Sequence, residues 1–447
     1  MRIIVIGAGE VGFYIAQRLT AENHDVIVIE RDEERRQLVQ NQLDVLTVAG
    51  NGASARILKE AGIEKADLVI AATSIDEVNI IACMLAAQFG VSKKIARVRN
   101  PEYTSSSAVL DPKKLGIDLM IHPEEEAVSE IARLLKRSGA SEIIEFADGR
   151  IQLIGLRIDR NAPVIHRSMA EVSASFPELT FRAVVIYRGD QTIIPRGENR
   201  FRQGDQIFVI AKREAIPLVE KMAGKSENRL EKVMILGGGR IGRGVANVLE
   251  KEKLTVKLIE SDRDRSDEIA NSLPRTLVLR GDDLDVDLLA REGIVDMDAL
   301  VAVTDDEGIN VISCLLAKHL KVKKTIALIR RPYYLPLMPS IGIDAAVSPR
   351  ISTASAILRF VRRARVVCVA ALKGCDAEAM ELVAMPGSKI VGQPLKRVNF
   401  PKEAIVGAII GRGKVIVPTG ESMINANDEV VVFAKPEAIS QVERFFT

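Results

Sequence analysis

Two glycine-rich turns, Gly7-Ala8-Gly9-Glu10-Val11-Gly12 and Gly237-Gly238-Gly239-Arg240-Ile241-Gly242, stand 230 residues apart, and 18 residues past the third glycine of each comes an acid, Glu30 or Glu260. Each turn follows a short apolar run, Ile3-Ile4-Val5-Ile6 or Val233-Met234-Ile235-Leu236, and opens a helical segment. In that context the pattern is a phosphate cradle. The first glycine permits a tight turn, the second lets a pyrophosphate approach the backbone, and the third lets helix and strand pack closely. The anion rests on the helix N-terminus, where unpaired N–H groups and the helix dipole both favour negative charge. Glu30 and Glu260 follow the next strands, Val26-Ile27-Val28-Ile29 and Val256-Lys257-Leu258-Ile259. A carboxylate there can accept hydrogen bonds from ribose hydroxyls and disfavours a 2′-phosphate. The expected chemistry is the holding of a nucleotide, twice.

The elements that must position these residues are duplicated with them. Leu58-Lys59-Glu60-Ala61-Gly62-Ile63 matches Leu289-Ala290-Arg291-Glu292-Gly293-Ile294, and Ala71-Ala72-Thr73 with Asn79 matches Ala302-Val303-Thr304 with Asn310. In each copy short Val/Ile/Leu runs alternate with amphipathic segments, which predicts a parallel sheet covered by helices on both faces. His122-Pro123 and Ser348-Pro349 then start a helix, proline being suited to the first helical position. Beyond it, residues 152–211 and 368–434 carry short alternating strands and glycine turns, so a smaller α+β domain follows each sheet. The reading is α/β: two Rossmann-like, doubly wound parallel-sheet lobes at 1–138 and 232–364, each followed by a small α+β domain, at 139–224 and 365–447. A polar stretch, Ala223 to Arg229, joins the halves.

Composition narrows the function. Of 447 residues 47% are apolar, enough for several cores, and 62 basic against 60 acidic residues leave a formal charge of +2, which gives no electrostatic reason to expect nucleic acid. No run approaches the roughly 18 apolar residues of a spanning helix, and Met1 leads straight into a strand without a signal-peptide pattern; a soluble, cytoplasmic chain is expected. Cys83 and Cys314 occupy equivalent helical positions and read as small buried hydrophobes. His24, His122, His166 and His319 show no ligand spacing, so no metal site is expected.

Tandem lobes of this kind, each with a small β-rich domain, resemble the RCK (regulator of potassium conductance) family, and the double arrangement resembles the NAD-binding regulatory subunits of Trk-type potassium uptake systems. The resemblance rests on the paired turns, Glu30 and Glu260, Gly50-Asn51-Gly52 and Gly281-Asp282-Asp283, Thr73 and Thr304, and the Gly-Asp or Asn-Asp endings of the small domains, Gly204-Asp205 and Asn427-Asp428. It implies a regulatory subunit, not an enzyme, that binds NAD or NADH, with ATP and ADP as further candidates for the same sites. It also implies docking on a potassium-translocating membrane subunit of Trk or Ktr type at the inner face of the cell membrane, as a homotetramer or homodimer. Carried over, Gly7, Ala8, Gly9, Glu10, Val11 and Gly12 meet the pyrophosphate, Glu30 the ribose, Thr73 and Ser74 the nucleotide in the crevice, and Arg97 a phosphate. In the second copy the same roles fall on Gly237, Gly238, Gly239, Arg240, Ile241, Gly242, Glu260 and Thr304.

The copies are not equivalent. Arg97 aligns with Leu328, and Glu10 with Arg240, so the two lobes are expected to bind nucleotides with distinct affinities. Several residues have a second reading: Thr73 as a cap for the following helix, Arg97 as a strand-end cation with Arg99 as an equal contact, Asp76 and Glu77 as acids complementing a helix dipole. The helix from Pro123, with Ala127, Val128, Ile131, Leu134 and Leu135 on one stripe, reads equally as a lever between domains or as ordinary core. Arg359, Arg362, Arg363 and Arg365 read as favouring a helix C-terminus or as a docking patch. An NAD-dependent oxidoreductase is the alternative function; it would need a general acid or base facing the nicotinamide, and the small domains offer a single histidine, His166, with no acid beside it.

Overall fold

The computed structural model describes residues 1–447 apart from 22–23, 104–110, 137–138, 177–180, 226–229, 283–284, 363–366, 373–374 and 412. The second half of the inter-half linker, Asp283, Arg363 and Arg365 therefore lie outside the described residues. By its contacts the chain divides into two units, Met1–Val128 with Ser348–Val361, and Ser129–Val347 with Arg362–Thr447.

The first unit holds a parallel six-stranded sheet. Its strands are β1 (Arg2–Ile6), β2 (Asp25–Glu30), β3 (Leu46–Ala49), β4 (Leu68–Ala71), β5 (Lys93–Arg97) and β6 (Leu119–Ile121), in the order β3-β2-β1-β4-β5-β6. Helices α1 (Glu10–Ala21), α2 (Glu33–Gln42), α3 (Ala55–Glu60) and α4 (Asp76–Gln88) link them, and α5 (Pro123–Lys136) follows β6. The central strands are apolar on both faces because helices cover both: Ile3 and Val5 bury on one side with α1, Ile4 and Ile6 on the other with α3 and α4. Each such fully buried aliphatic side chain contributes on the order of 1.5–3 kcal/mol.

The second unit repeats the sheet. After α6 (Met169–Ser175) and α7 (Ile216–Met222) of the first small domain come β12 (Lys232–Leu236), β13 (Thr255–Glu260), β14 (Thr276–Arg280), β15 (Ala299–Ala302), β16 (Lys324–Leu328) and β17 (Ala345–Val347), ordered β14-β13-β12-β15-β16-β17. Their helices are α8 (Arg240–Lys251), α9 (Arg263–Ser272), α10 (Val286–Arg291) and α11 (Glu307–His319).

Each small domain is a five-stranded antiparallel sheet. The first comprises β7 (Ala140–Phe146), β8 (Ile151–Arg157), β9 (Phe181–Arg188), β10 (Gln191–Ile193) and β11 (Gln206–Lys212), and the second β18 (Val367–Ala371), β19 (Glu378–Val383), β20 (Ala404–Gly411), β21 (Lys414–Ile416) and β22 (Glu429–Ala434). The two sheets share a core in which Phe146, Phe208 and Ile210 meet Val431 and Phe433. On its other face the first sheet packs on α6 and α7 around a cavity of about 320 Å³ lined by Phe181, Phe201, Val209, Val219 and Met222. The second packs on α13 (Ile439–Phe446), which carries Phe445 and Phe446 where α7 and its end have Met222 and Ala223.

The sequence alone does not reveal where α12 (Pro349–Arg362) packs. It follows β17, yet its Ala354, Ile357 and Leu358 bury among Ile15, Leu19 and Val28 of the first sheet's core. The later part of α5 belongs to the second unit, where Lys136 pairs with Glu252 at 2.8 Å just past α8.

Candidate functional site

Each cradle sits where the strand order of its parallel sheet reverses, at β1 beside β4 and at β12 beside β15. Helices leave such neighbours on opposite faces and open a crevice above the strand ends. The chain turns out of β1 at Gly7 with φ +94°, and a Cβ there would lie 2.9 Å from Thr73 Cγ2; at Gly237, φ is +96° and a Cβ would stand 2.9 Å from the Thr304 Cα. Both the backbone conformation and the close approach demand glycine. Helix and strand then close tightly at the third glycines: a Cβ on Gly12 would fall 1.8 Å from the Gly7 carbonyl oxygen, and one on Gly242 would fall 1.9 Å from that of Gly237.

The second glycines are different, because they face open space. A Cβ on Gly9 would meet only Arg35 Nη1, at 3.9 Å, and one on Gly239 nothing within 4 Å beyond its chain neighbours. Gly239 is the N-cap of α8 and supplies no side-chain cap to that helix. Val11 and Ile241 are buried and contribute to the cradle through backbone alone, whereas Glu10 and Arg240 are exposed at its lip.

Glu30 and Glu260 are buried, at 7% and 4% exposure, and both serve the turn itself. Glu30 Oε2 accepts the Ala8 N–H at 2.5 Å, while Oε1 accepts those of Arg31 and Asp32 at 2.8 and 2.9 Å. Glu260 repeats this with the N–H groups of Gly238 and Asp262, each at 2.8 Å, and Arg265 Nη1 adds a contact at 3.4 Å. The acid that the sequence assigns to a ribose thus also ties the end of the second strand to the first turn.

Thr73 and Thr304 are held by a residue the site reading passed over. Asn79, fully buried on α4, accepts from the Thr73 N–H and Oγ1–H at 2.9 and 2.7 Å, and its Nδ2 donates to the carbonyls of Thr73 and Arg97 at 3.1 and 2.7 Å. Asn310 makes the same four bonds to Thr304 and Leu328. These clamps fasten the ends of the two strands bordering the crevice to the helix between them. The signal was present in the sequence, since Asn79 and Asn310 recur at the offset of the two threonines. Thr73 does not cap the following helix, whose N-cap Ile75 has no side-chain cap; its Oγ1 accepts the Ile75 N–H at 3.2 Å and so closes the turn before α4. Ser74 is exposed beside it.

Arg97 is the most informative cation. It is half-buried, its Nη1 donates to the Thr73 carbonyl at 3.1 Å, and its Nε is buried without a hydrogen-bond partner among the described residues. Burial pushes its pKa below the ordinary arginine value, with Arg99 and Arg350 acting in the same direction and Glu124 and Asp76 opposing. An orphaned guanidinium N–H at the crevice is the local feature that a polar or anionic ligand would satisfy. Arg99 is engaged elsewhere, bound to Glu124 at 2.9 Å. Asp76 accepts the N–H groups of Arg99 and Asn100 at 2.9 and 2.7 Å, so it shapes the loop after β5. At the lip, Glu10 is ion-paired with Arg350 of α12, and Arg35 reaches the open side of Gly9. Neither cation carries a local motif that a sequence reading would single out.

Among the described residues no group of His, Cys, Asp and Glu could hold a metal, and no helix is long and apolar enough to cross a membrane.

Comparison with known proteins extends over the whole chain. The TrkA-N domain model matches residues 3–123 and 233–349, and the TrkA-C domain model residues 153–224 and 379–447. Trk system potassium uptake protein TrkA homolog 1 of Methanosarcina mazei is 37% identical over 456 aligned residues, covering all of both chains. Trk system potassium uptake protein TrkA of Azorhizobium caulinodans is 35% identical over 451, covering all of this chain and 98% of its own. Among solved structures, the GsuK channel bound to NAD shares the fold, with a TM-score of 0.59 at 16% identity over all of this chain and 78% of that one. The chain belongs to the TrkA family of Trk-system potassium uptake proteins, and carries the family's N-terminal and C-terminal domain types twice each.

Proposed function

We propose that the protein is a nucleotide-operated regulatory subunit that gates a potassium-translocating membrane subunit of Trk or Ktr type, binding NAD(H), or ATP and ADP, in its two parallel-sheet lobes. The observation that carries this reading is the pair of open cradles at the strand-order reversals, one of them bordered by the orphaned Arg97 Nε. Family membership supports the potassium-uptake context, and the domain parsing 1–138, 139–224, 232–364 and 365–447 supplies two binding lobes and two small domains.

In the first lobe the backbone from Gly7 to Gly12 holds phosphate, Glu30 orients the turn and the ribose, Thr73 and Ser74 border the nucleotide, and Arg97 meets a phosphate. In the second, the backbone from Gly237 to Gly242, Glu260 and Thr304 do the same, with Arg240 as the lip cation. Nothing in this arrangement calls for turnover. The ligand works by linkage: it shifts a conformational equilibrium by its differential affinity for two arrangements of the domains. The subunit acts as a homo-oligomer, a tetramer or a dimer, held at the inner membrane face by its partner.

The test is calorimetric titration of the full chain with NAD, NADH, ADP and ATP, alone and with Gly9→Glu or Gly239→Glu. Both substitutions place a carboxylate in open cradle space, so the fold is retained while an anion is repelled. Each should remove one site, weakening it at least 100-fold, about 2.7 kcal/mol. Unchanged binding in both variants would overturn the proposal, as would catalytic oxidation of NADH by the purified chain in a metabolite mixture.

A further inference from the structure

One ion pair at the first cradle joins the two halves of the duplication. Arg350, the second residue of α12, comes from the second half of the sequence, yet it belongs to the unit of the first lobe and pairs with Glu10 at the opening of α1. Its side chain keeps 22% of its surface exposed and that of Glu10 keeps 60%, so the pair lies at the lip and open to solvent. Glu10 is an awkward residue for that place: a carboxylate at the start of a phosphate-binding helix competes with phosphate for the same N–H groups and the same positive field.

A second observation points the same way. The two positions invert their charges together between the copies. Glu10 of the first turn corresponds to Arg240 of the second, and Glu124, which follows Pro123 at the start of α5, corresponds to Arg350, which follows Pro349 at the start of α12. Within the first unit Glu10 meets Arg350, and Glu124 is bound to Arg99.

We infer that Arg350 is a nucleotide-binding residue of the first lobe, which holds Glu10 away when the cradle is free and exchanges that carboxylate for a ligand phosphate when it is filled. The inference rests on the first lobe's taking a nucleotide, as proposed above. Arginine suits the exchange because its planar fork binds carboxylate and phosphate with the same geometry. The first lobe thereby uses three cations from three parts of the chain: Arg35 at the open side of Gly9, Arg97 at the end of β5 and Arg350 from α12. Occupancy of the first cradle is then read directly by a helix encoded in the second half.

The test uses the full chain carrying Gly239→Glu, so that only the first cradle binds, with ADP and adenosine as probes. Arg350→Ala should weaken ADP at least tenfold and leave adenosine, which lacks phosphate, within twofold. Glu10→Gln should tighten ADP, and Glu10→Gln with Arg350→Ala should stay as weak as Arg350→Ala alone. Arg350→Gln serves as a second variant of similar length if the alanine chain unfolds, as judged by circular dichroism. ADP affinity that ignores Arg350, equal loss for ADP and adenosine, or rescue by removing Glu10 would each overturn the inference, the last by showing that Arg350 only neutralises Glu10. If neither ADP nor NAD binds the Gly239→Glu chain with Arg350 intact, the nucleotide reading of the first lobe itself fails.

Discussion

The two lobes are near copies in backbone and unlike in charge, and the contrast separates what the fold requires from what the ligand would read. Everything that shapes the crevice is repeated: the left-handed first glycine, the contact between third glycine and carbonyl oxygen, the buried acid on the turn, and the four-bond asparagine clamp. Even a difference inside the turn is compensated. Where the first lobe has Ala8 with Val39, the second has Gly238 with Ile269, and a Cβ on Gly238 would stand 2.4 Å from Ile269 Cδ1. By contrast, the charges at the rim change, Glu10 becoming Arg240 and Arg97 becoming Leu328. The shared geometry marks two cradles under the same physical constraints, and the divergent rim is the basis for proposing that their ligand preferences differ.

The largest effect expected tests the shared part. Asn79→Leu and Asn310→Leu each leave the buried polar groups of one threonine without partners, and each should lower stability by about 3 kcal/mol. Urea denaturation followed by circular dichroism should show the two losses equal to within about 1 kcal/mol. A marked inequality would mean that the clamps are not equivalent in strength.

The next test concerns a lysine that the lobes treat differently. Lys93, the first residue of β5, is half-buried, with its Nζ 5.9 Å from the centre of the Phe360 ring. Its counterpart Lys324, the first residue of β16, is fully buried and donates to the Ala140 carbonyl, while the neighbouring acid, Asp344, is taken by Lys318 at 2.9 Å and by Thr325 at 3.0 Å. Burial pushes Lys324 down from 10.5 to about 8, with Asp344 opposing and Lys225 and Lys318 assisting. Between those two values the unfolded chain holds a proton that the folded chain has released, so raising the pH favours the folded state. Stability should therefore rise by roughly 2 kcal/mol from pH 8 to 10, and Lys324→Met should flatten that rise. A profile identical to that of the parent chain would show that this lysine titrates normally.

The smallest effect probes the divergent rim. Arg97→Leu gives the first lobe the residue found in the second, and should weaken an anionic nucleotide there about tenfold, roughly 1.4 kcal/mol. Leu328→Arg should strengthen the second lobe by less, because the second lobe was built without a place for that side chain. Calorimetry in the Gly239→Glu and Gly9→Glu backgrounds resolves the two, and equal changes of opposite sign would mean that the rims are interchangeable.

Much of this protein was written in local pattern. Strand runs that are apolar at every position, as in Ile3 to Ile6, can only be covered on both faces, which dictates a parallel sheet with helices above and below. The glycine spacing dictates the turn, since only glycine tolerates those approaches, and the repeat at a constant offset announces the second copy. The sequence therefore determined the fold class, the duplication and the position of both cradles. It could not decide which side chains meet across long separations, because those meetings depend on packing that no local period encodes. The tertiary structure alone placed α12 on the first sheet, gave Glu10 its partner 340 residues away, turned Glu30 inward onto the Ala8 amide, and buried Lys324 against the Ala140 carbonyl. Burial energy chooses such partners by shape over the whole surface of an element, and the charges then settle within the geometry that burial has set.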